Sequence, residues 1–138
     1  MPEASCFHDN ENKKTALAAL NKYGAKTAFL GKVGDDAFGK LLLKTFEKAG
    51  IETKGIVTDP SVFTTLAFVT FSPEGDRSFS FARKPGADTR LSFEEIDLNM
   101  IDESSVFHFG TLSLTDDPVR KHLKALAQKG KTILIITH

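Results

Sequence analysis

The chain has 138 residues, of which 41% are hydrophobic and 26% are charged, a composition typical of one soluble globular domain. Lysine plus arginine and aspartate plus glutamate both total 18, and this zero net charge argues against a nucleic-acid partner, which needs a basic face. No apolar run reaches the ~20 residues of a membrane helix, and the polar N-terminus lacks the apolar segment of a signal peptide. We therefore expect a cytoplasmic protein with no nucleic-acid or membrane partner.

The residue types that bind metals or react as nucleophiles give little signal. Cys6 is the only cysteine, so no intrachain disulfide can form, and nothing near it in sequence would activate its thiol. The four histidines show no metal-ligand spacing with Cys6, so no metal site is predicted. His108 alternates with Phe107 and Phe109, and we interpret it as a half-buried strand residue rather than a ligand or a base.

The N-terminal region begins with a polar stretch and continues as a helix. Residues 1–12 carry few apolar side chains, so we expect them to be poorly ordered. Apolar residues then recur at helical spacing as far as Gly24, which is a plausible helix stop. The domain itself is predicted to span 13–138.

A strand, a glycine turn and a helix start follow in close succession. Thr27–Leu30 has the composition of a strand, and Gly31 and Gly34 are predicted to form the turn. Asp35 or Asp36 can cap the next helix, because a carboxylate satisfies its free N–H groups. A strand that ends in such a turn before a helix is where α/β folds place ligands.

The middle of the chain changes from a βα pattern to a hairpin pattern. A helical stripe over 38–49 and a short strand over 55–58 continue the first pattern. The β-rich runs 64–71 and 77–83 are joined by a turn that contains glycine, which indicates an antiparallel hairpin. We expect this hairpin to be an insertion, a small sheet or lid, over about 60–88.

The C-terminal region returns to the βα pattern. Ser92–Glu95 has the spacing of a capping box at the start of a short helix near 93–100. A strand over 105–110 and a helix over 116–130 follow, and the apolar run 132–136 suits a strand buried on both faces. This alternation predicts an α/β fold with a parallel sheet, helices on its faces and one inserted hairpin.

Four segments of the chain, taken in order, are similar to the PfkB (ribokinase-like) family of carbohydrate kinases, and in particular to its fructokinase-like members. Each segment is weak evidence alone, but their order and spacing are specific. The segments are Gly31–Gly39, Thr65–Val69, Phe81–Asp88 and Phe107–Leu114. The resemblance covers roughly 16–136 and implies a partial ribokinase-like three-layer α/β/α fold whose hairpin is a lid.

The resemblance also implies roles for individual residues. Family members phosphorylate a sugar hydroxyl with ATP and Mg²⁺, and the lid closes over the sugar. Phe81 and Arg83 would then face the sugar, since a guanidinium gives a rigid fork of donors and an aromatic ring covers an apolar sugar face. Gly31 and Gly34 would let the backbone approach the pocket. The alternative is that these four are lid core, surface charge and turn glycines.

Other positions have a structural interpretation that competes with the functional one. We interpret Asp36 as a helix cap first and as a neighbour of the ligand second. Gly110, Thr111 and Ser113 follow a strand end and could line the pocket, although turn formation explains them about as well.

The sequence departs from the family pattern in both directions from the lid. The family's early sugar-binding glycine pair falls on Asn10 and Glu11, and its asparagine falls on Thr15. The Gly-Ala-Gly-Asp motif that supplies the catalytic base and the anion hole does not occur, and neither do the ATP contacts. We therefore expect no catalytic residue here, weak sugar binding at most, little binding of ATP or Mg²⁺, and no turnover by this chain alone. Exposed sheet edges should also favour marginal stability and association.

Two other functions compete with this interpretation. The chain could be a non-catalytic interaction module that forms a homodimer through the lid hairpin. It could also be an unrelated doubly wound nucleotide-binding domain, but the spacing of Gly31, Gly34 and Gly39 is not that of a dinucleotide fingerprint, and no P-loop is present.

Overall fold

The structure is a computed structural model that describes residues 5–7, 11–83, 85–110, 117, 120, 121, 125, 128 and 132–136. The helices are α1 (Glu11–Lys22), α2 (Ala37–Lys48) and α3 (Leu98–Asp102). The strands are β1 (Ser5–Phe7), β2 (Gly31–Gly34), β3 (Ile56–Asp59), β4 (Leu66–Phe71), β5 (Arg77–Ala82), β6 (Val106–Gly110) and β7 (Thr132–Ile136). Two short 3₁₀ turns lie at Ala87–Arg90 and Phe93–Glu95.

The strands pair in three groups. β2 pairs with β3 and β6 pairs with β7, and both pairs are parallel. β4 and β5 form an antiparallel hairpin in which Leu66 lies opposite Ala82 and Phe71 opposite Arg77. The predicted combination of parallel βα units with one antiparallel hairpin is therefore confirmed. We refer to Leu66–Ala82, with its turn, as the lid.

The predicted glycine turn is wrong, because Gly31 and Gly34 are the first and last residues of strand β2. The segment expected to be the strand makes only an isolated bridge, from Ala28 to Glu52. The reason is non-local: β3 supplies parallel partners from Ile56 to Asp59, and this pairing holds two residues of low strand propensity in a ladder.

Within the stretch 1–12 that is expected to be poorly ordered, Ser5–Phe7 forms β1 and pairs antiparallel with β4. The register places Cys6 opposite Phe68. Hydrogen bonds to a strand edge far along the chain stabilise this short segment, and no local pattern signals them. Helix α1 then begins at Glu11, inside the stretch that was expected to be poorly ordered.

Helix α2 has the predicted cap, stop and buried face. Asp36 is its N-cap and accepts a hydrogen bond from the Gly39 N–H, and the chain leaves the helix through Gly50 at φ 74°. Its Phe46 is buried and stacks on Phe29 with ring centroids 4.7 Å apart. This aromatic pair joins the helix to the segment that leads into β2.

A second cluster lies beneath the 3₁₀ turns and α3, around the buried Ile96 and Ile101. The predicted capping box is confirmed, since a Glu95 carboxylate oxygen accepts the Ser92 N–H at 2.8 Å. The single helix predicted over 93–100 is wrong: the chain makes a 3₁₀ turn and then a separate helix, which Asp97 caps through the Asn99 N–H.

The remaining expectations concern the C-terminal region and the membrane. Strands β6 and β7 match the predicted 105–110 and 132–136. Thr111, Ser113 and most of the helix predicted over 116–130 lie outside the described residues. The helices described here include none long and apolar enough to cross a bilayer, and the cytoplasmic location stays a prediction.

Candidate functional site at the base of the lid

The lid is attached to the body of the protein at the carboxyl ends of β2 and β3. Because these strands are parallel, Gly34 and Asp59 lie side by side at one edge of the sheet. In α/β folds this edge is where ligands bind. Thr64 and Thr65 lead from this edge into β4, and Arg83 directly follows β5.

Thr64 fixes the start of the lid to the body through two hydrogen bonds. Its hydroxyl accepts the Gly34 N–H at 2.9 Å, and its own N–H donates to the Asp36 carboxylate at 2.7 Å. Thr64 is buried, so these bonds are protected from water. Thr64, two residues before the lid begins, is therefore held against the end of β2 and the start of α2.

Gly34 permits this close approach because it has no side chain. A Cβ atom placed there would lie 2.5 Å from the Val62 carbonyl oxygen and 2.7 Å from the Thr64 nitrogen. Both atoms belong to the backbone, so they cannot rotate away. The glycine is thus required by the contact between β2 and the approach to the lid, and not by a turn.

Asp36 serves the helix and the lid with the same carboxylate. One oxygen accepts the Gly39 N–H at 2.8 Å, and the other accepts the Thr64 N–H. Burial acts to raise the pKa of Asp36, but these backbone N–H donors outweigh it and hold the pKa below its ordinary value. The predicted cap is confirmed, and it has a second partner that the sequence did not reveal.

Arg83 forms an ion pair at the opposite end of the hairpin. Its Nη2 lies 2.8 Å and its Nε 3.0 Å from Oδ2 of Asp88. The other oxygen of Asp88 accepts a hydrogen bond from the Thr65 hydroxyl. Asp88 therefore links the residue before the lid to the residue after it, a role that was not predicted although Asp88 ends the family-like segment Phe81–Asp88.

Phe81 lies on the lid, one strand residue from its base. Its side chain is 54% exposed and stacks against Phe79 with ring centroids 6.3 Å apart. Register places Phe81 opposite Ala67, two residues beyond Thr65. An exposed aromatic face is thus available close to Arg83.

Gly31 lies apart from these residues. It begins β2 while Gly34 ends it, so about 10 Å of strand separates them. A Cβ at Gly31 would meet the Phe29 ring at 2.8 Å, on the side of the aromatic core. Of the four predicted sugar-contacting residues, the structure groups Gly34, Phe81 and Arg83 at the base of the lid.

A buried lysine underlies the site and was not predicted. The Lys32 ammonium lies 2.7 Å from a Glu95 oxygen, 3.0 Å from an Asp59 oxygen and 3.3 Å from the Arg90 carbonyl oxygen. It ties the end of β3 to both 3₁₀ turns. The available signal in the sequence was a lysine between a glycine and a valine, in a segment that the structure shows to be a buried strand.

The pKa values in this group follow from the ion pairs. Burial acts to lower the pKa of Lys32, but its bonds to Glu95 and Asp59 outweigh burial and raise it. Burial acts to raise the pKa of Glu95, but Lys32 and the Ser92 N–H hold it below its ordinary value. The Ser61 hydroxyl and N–H, together with Lys32, lower the pKa of Asp59 to about 2. All three groups are charged at neutral pH.

The part of the chain that the structure describes brings together no cluster of three or more histidine, cysteine, aspartate or glutamate residues able to hold a metal ion. We therefore assign no ligand for Mg²⁺ among these residues.

Comparison with known proteins identifies the family. A profile described as "pfkB family carbohydrate kinase" matches residues 13–138. The chain belongs to the pfkB family. Its predicted partial ribokinase-like α/β fold with a lid is likewise confirmed by the solved structures that it resembles.

The relatives include plant and bacterial fructokinases. Fructokinase of Solanum tuberosum is 43% identical over 109 residues, which are 78% of this chain and 34% of that protein. Fructokinase-2 of Oryza sativa subsp. japonica is 41% identical over 118 residues, 84% of this chain and 35% of that protein. The chain thus spans about a third of the length of these pfkB-family relatives.

Solved structures give the same picture. Fructokinase from Xylella fastidiosa superimposes with a TM-score of 0.80 at 30% identity, covering 88% of this chain and 39% of that one. A structure of fructokinase with bound ATP from the same organism gives a TM-score of 0.79. Fructokinase from Vibrio cholerae O395 gives 0.71 at 26% identity, covering 90% of this chain and 43% of that one.

Proposed function

We propose that these residues form the sugar-binding and lid region of a fructokinase-like carbohydrate kinase, an enzyme that transfers a phosphoryl group from ATP to a hydroxyl of a fructose-like sugar. The observation that carries the proposal is the position of Arg83. It stands at the base of an antiparallel lid that Thr64 and Asp36 fix to the carboxyl ends of two parallel strands. The sugar and the nucleotide are inferred from the relatives, which are fructokinases and include one solved with bound ATP.

The proposed division of labour follows from the chemistry of each residue. Arg83 donates hydrogen bonds to sugar hydroxyls through guanidinium N–H groups other than those that bind Asp88. Phe81 covers an apolar face of the ring and excludes water from it. Gly34 contributes indirectly, because it lets the backbone of Val62 and Thr64 pack against the end of β2 and so sets the position of the lid. Gly31 was expected to join them, but its place at the start of β2 gives it no part in the proposal.

The phosphoryl-transfer step itself is assigned to no residue of this chain. The 138 residues contain no Gly-Ala-Gly-Asp motif, which in the family supplies the base and the anion hole. ATP would supply the phosphoryl group, and Mg²⁺ would balance its charge. We propose that these 138 residues bind and cover the sugar but have no turnover by themselves.

Fructose binding by the 138-residue chain tests the proposal. We expect fructose to shift backbone amide NMR signals of Gly34 and of residues around Arg83, with weak, millimolar affinity. Arg83→Ala should weaken binding at least tenfold, because a hydrogen bond to a charged group contributes about 1.5–3 kcal/mol. Arg77→Ala is the matched control, since Arg77 lies at the far end of the same strand, and it should change affinity less than twofold.

Three outcomes would contradict the proposal. Absence of any amide shift with fructose would contradict sugar binding by this chain, and equal losses in the Arg83 and Arg77 variants would contradict the role of Arg83. Steady turnover of fructose with ATP and Mg²⁺ by the isolated chain would contradict the assignment of the chemistry to other residues.

The second candidate function, a homodimer through the lid, is favoured by one specific observation. Register places Phe71, Phe79 and Phe81 on the same face of the hairpin, where they are 43%, 57% and 54% exposed. Phe68 lies on the opposite face, among Thr70, Ser78 and Ser80. An apolar face of this kind commonly marks a protein contact.

Light scattering on single variants separates this candidate from sugar binding. If the chain is a dimer through the aromatic face, Phe79→Lys should convert it to a monomer, because a lysine cannot be buried there without a partner. Phe68→Lys introduces the same charge on the opposite face and should leave the dimer intact. A monomeric wild type, or equal effects of the two variants, would remove the dimer proposal while leaving fructose binding open.

A further inference from the structure

The two oxygens of the Asp88 carboxylate bind residues at opposite ends of the lid. One oxygen binds the Thr65 hydroxyl, and the other binds Nε and Nη2 of Arg83. Only 24% of the Asp88 side chain and 21% of the Arg83 side chain is exposed. The contact is therefore more than a surface ion pair, which would be weak and mobile.

Asp88 is itself held firmly. It lies in the 3₁₀ turn Ala87–Arg90, which packs against β2. Ala87 in this turn is completely buried and donates its N–H to the Phe63 carbonyl oxygen at 2.9 Å. The preceding Gly86 admits Thr65 so closely that a Cβ there would overlap the Thr65 hydroxyl. The carboxylate is thus held by the turn Ala87–Arg90 and by β2, outside the hairpin itself.

We propose that Asp88 is the positioning residue for Arg83, and that by compensating the arginine's charge it makes the site prefer a neutral sugar over a sugar acid. The proposal rests on the proposed function, because it takes the ligand of Arg83 to be a sugar. An arginine can bind either hydroxyls or carboxylates, and in this proposal Arg83 favours hydroxyls.

The first part follows from conformational entropy. A free arginine side chain has about 2 kcal/mol of rotamer entropy to lose when it binds a ligand. Holding Nε and Nη2 on a rigid carboxylate removes that loss in advance, which is how pre-organisation improves affinity. Asp88 touches neither the sugar nor the reacting atoms in this scheme, and it acts through Arg83.

The second part follows from charge. Arg83 and Asp88 together carry no net charge. A sugar hydroxyl can therefore accept a hydrogen bond from Arg83 without being repelled by Asp88. A substrate carboxylate would approach Arg83 with the Asp88 carboxylate about 3 Å from the same guanidinium, and the like charges would repel. Specificity then arises from a repulsive element as well as an attractive one.

Affinities for fructose and for 2-keto-3-deoxygluconate, measured by NMR titration of the full chain, test the proposal. Asp88→Asn should weaken fructose binding at least fivefold and should shift the fructose-to-acid affinity ratio at least tenfold toward the acid. Asp76→Asn is the control, because it removes one negative charge at the distant hairpin turn, and it should leave the ratio within twofold. In an Arg83→Ala background, Asp88→Asn should no longer weaken fructose binding, because no arginine is left for Asp88 to position.

A second measurement needs no sugar. The ¹⁵N relaxation of the Arg83 Nε–H group should report a rigid side chain in the wild type and a mobile one in Asp88→Asn. Thr65→Val removes the other tether of Asp88 and should loosen Arg83 in the same direction if Asp88→Asn does not fold. A rigid Arg83 in these variants, or an affinity ratio unchanged by Asp88→Asn, would overturn the proposal.

The two measurements also separate this inference from the proposed function. If the wild type binds neither sugar, the proposed function of this chain fails and the preference for neutral sugars fails with it. The positioning of Arg83 by Asp88 is then decided by the relaxation data alone, with a mobile Arg83 in Asp88→Asn as the supporting result.

Discussion

Replacing Lys32 with methionine is expected to lower the free energy of unfolding by about 3 kcal/mol. The Lys32 side chain is only 6% exposed, and its ammonium group pairs with both Asp59 and Glu95. Without it, two carboxylates remain close together at the base of the lid with no cation between them. Removing one partner of a buried ion pair typically costs about 3–5 kcal/mol, and we use the low end because both carboxylates are partly exposed.

Urea unfolding measures the effect, and Lys40→Met is the matched control. Lys40 pairs with Asp35 at 2.9 Å, but the two side chains are 66% and 49% exposed. An exposed pair of this kind contributes little, so Lys40→Met should lose far less stability than Lys32→Met. The triple variant Lys32→Met, Asp59→Asn, Glu95→Gln should regain much of the stability, because neutral amides need no cation. Similar losses in the Lys32 and Lys40 variants would contradict the buried network.

The Lys32 effect should depend on pH in a definite direction. The pKa values of Asp59 and Glu95 are lowered in the folded state, so the stability they contribute is present above their ordinary values. It is lost as the pH falls through the folded values, which for Asp59 is about 2. The pKa of Lys32 is raised, so its own contribution is complete below 10.5 and is lost only at higher pH. The difference in the free energy of unfolding between wild type and Lys32→Met should therefore decrease as the pH falls.

Gly34→Ala is the second substitution with a large expected effect, a loss of about 3 kcal/mol of stability. The added methyl group would meet backbone atoms of Val62 and Thr64 at 2.5 and 2.7 Å, and neither can move without moving the approach to the lid. The φ angle at Gly34 is not positive, so the loss would come from steric overlap and not from a forbidden backbone conformation.

Thermal unfolding of Gly34→Ala and Gly31→Ala separates this contact from a general cost of altering β2. At Gly31 the new methyl group would meet only the Phe29 ring, which can shift, so we expect a loss of about 1 kcal/mol. The Thr64 amide signal should move in Gly34→Ala and stay in place in Gly31→Ala. Equal free energies of unfolding for the two variants would show that the backbone of Val62 and Thr64 can move aside at little cost.

The elements that were predicted correctly are those whose signal is local. The hairpin has alternating β-rich runs on both sides of a glycine turn, α2 has a capping aspartate and an apolar stripe, and Ser92–Glu95 has the spacing of a capping box. Each of these elements is determined by residues that lie close together in the sequence, so local sequence patterns are sufficient to predict it.

The features that were missed depend on distant partners. Strand β2 contains two glycines and becomes a strand only because β3 pairs with it. Lys32 would ordinarily be placed on the surface, and its partner Glu95 lies 63 residues away. The site differs in this respect: Arg83 and Phe81 were identified through the family resemblance, and Asp88 lies only five residues after Arg83 but is held in place by the packing of the turn Ala87–Arg90 against the distant strand β2.

The pairing of Ser5–Phe7 with β4 has a practical consequence for following movement of the lid. It places the backbone of Cys6, the only cysteine in the sequence, in the same sheet as the lid strands, opposite Phe68. A fluorophore or spin probe coupled through maleimide chemistry would therefore report on this sheet alone, without any engineered attachment point and without a background from other sulfhydryls.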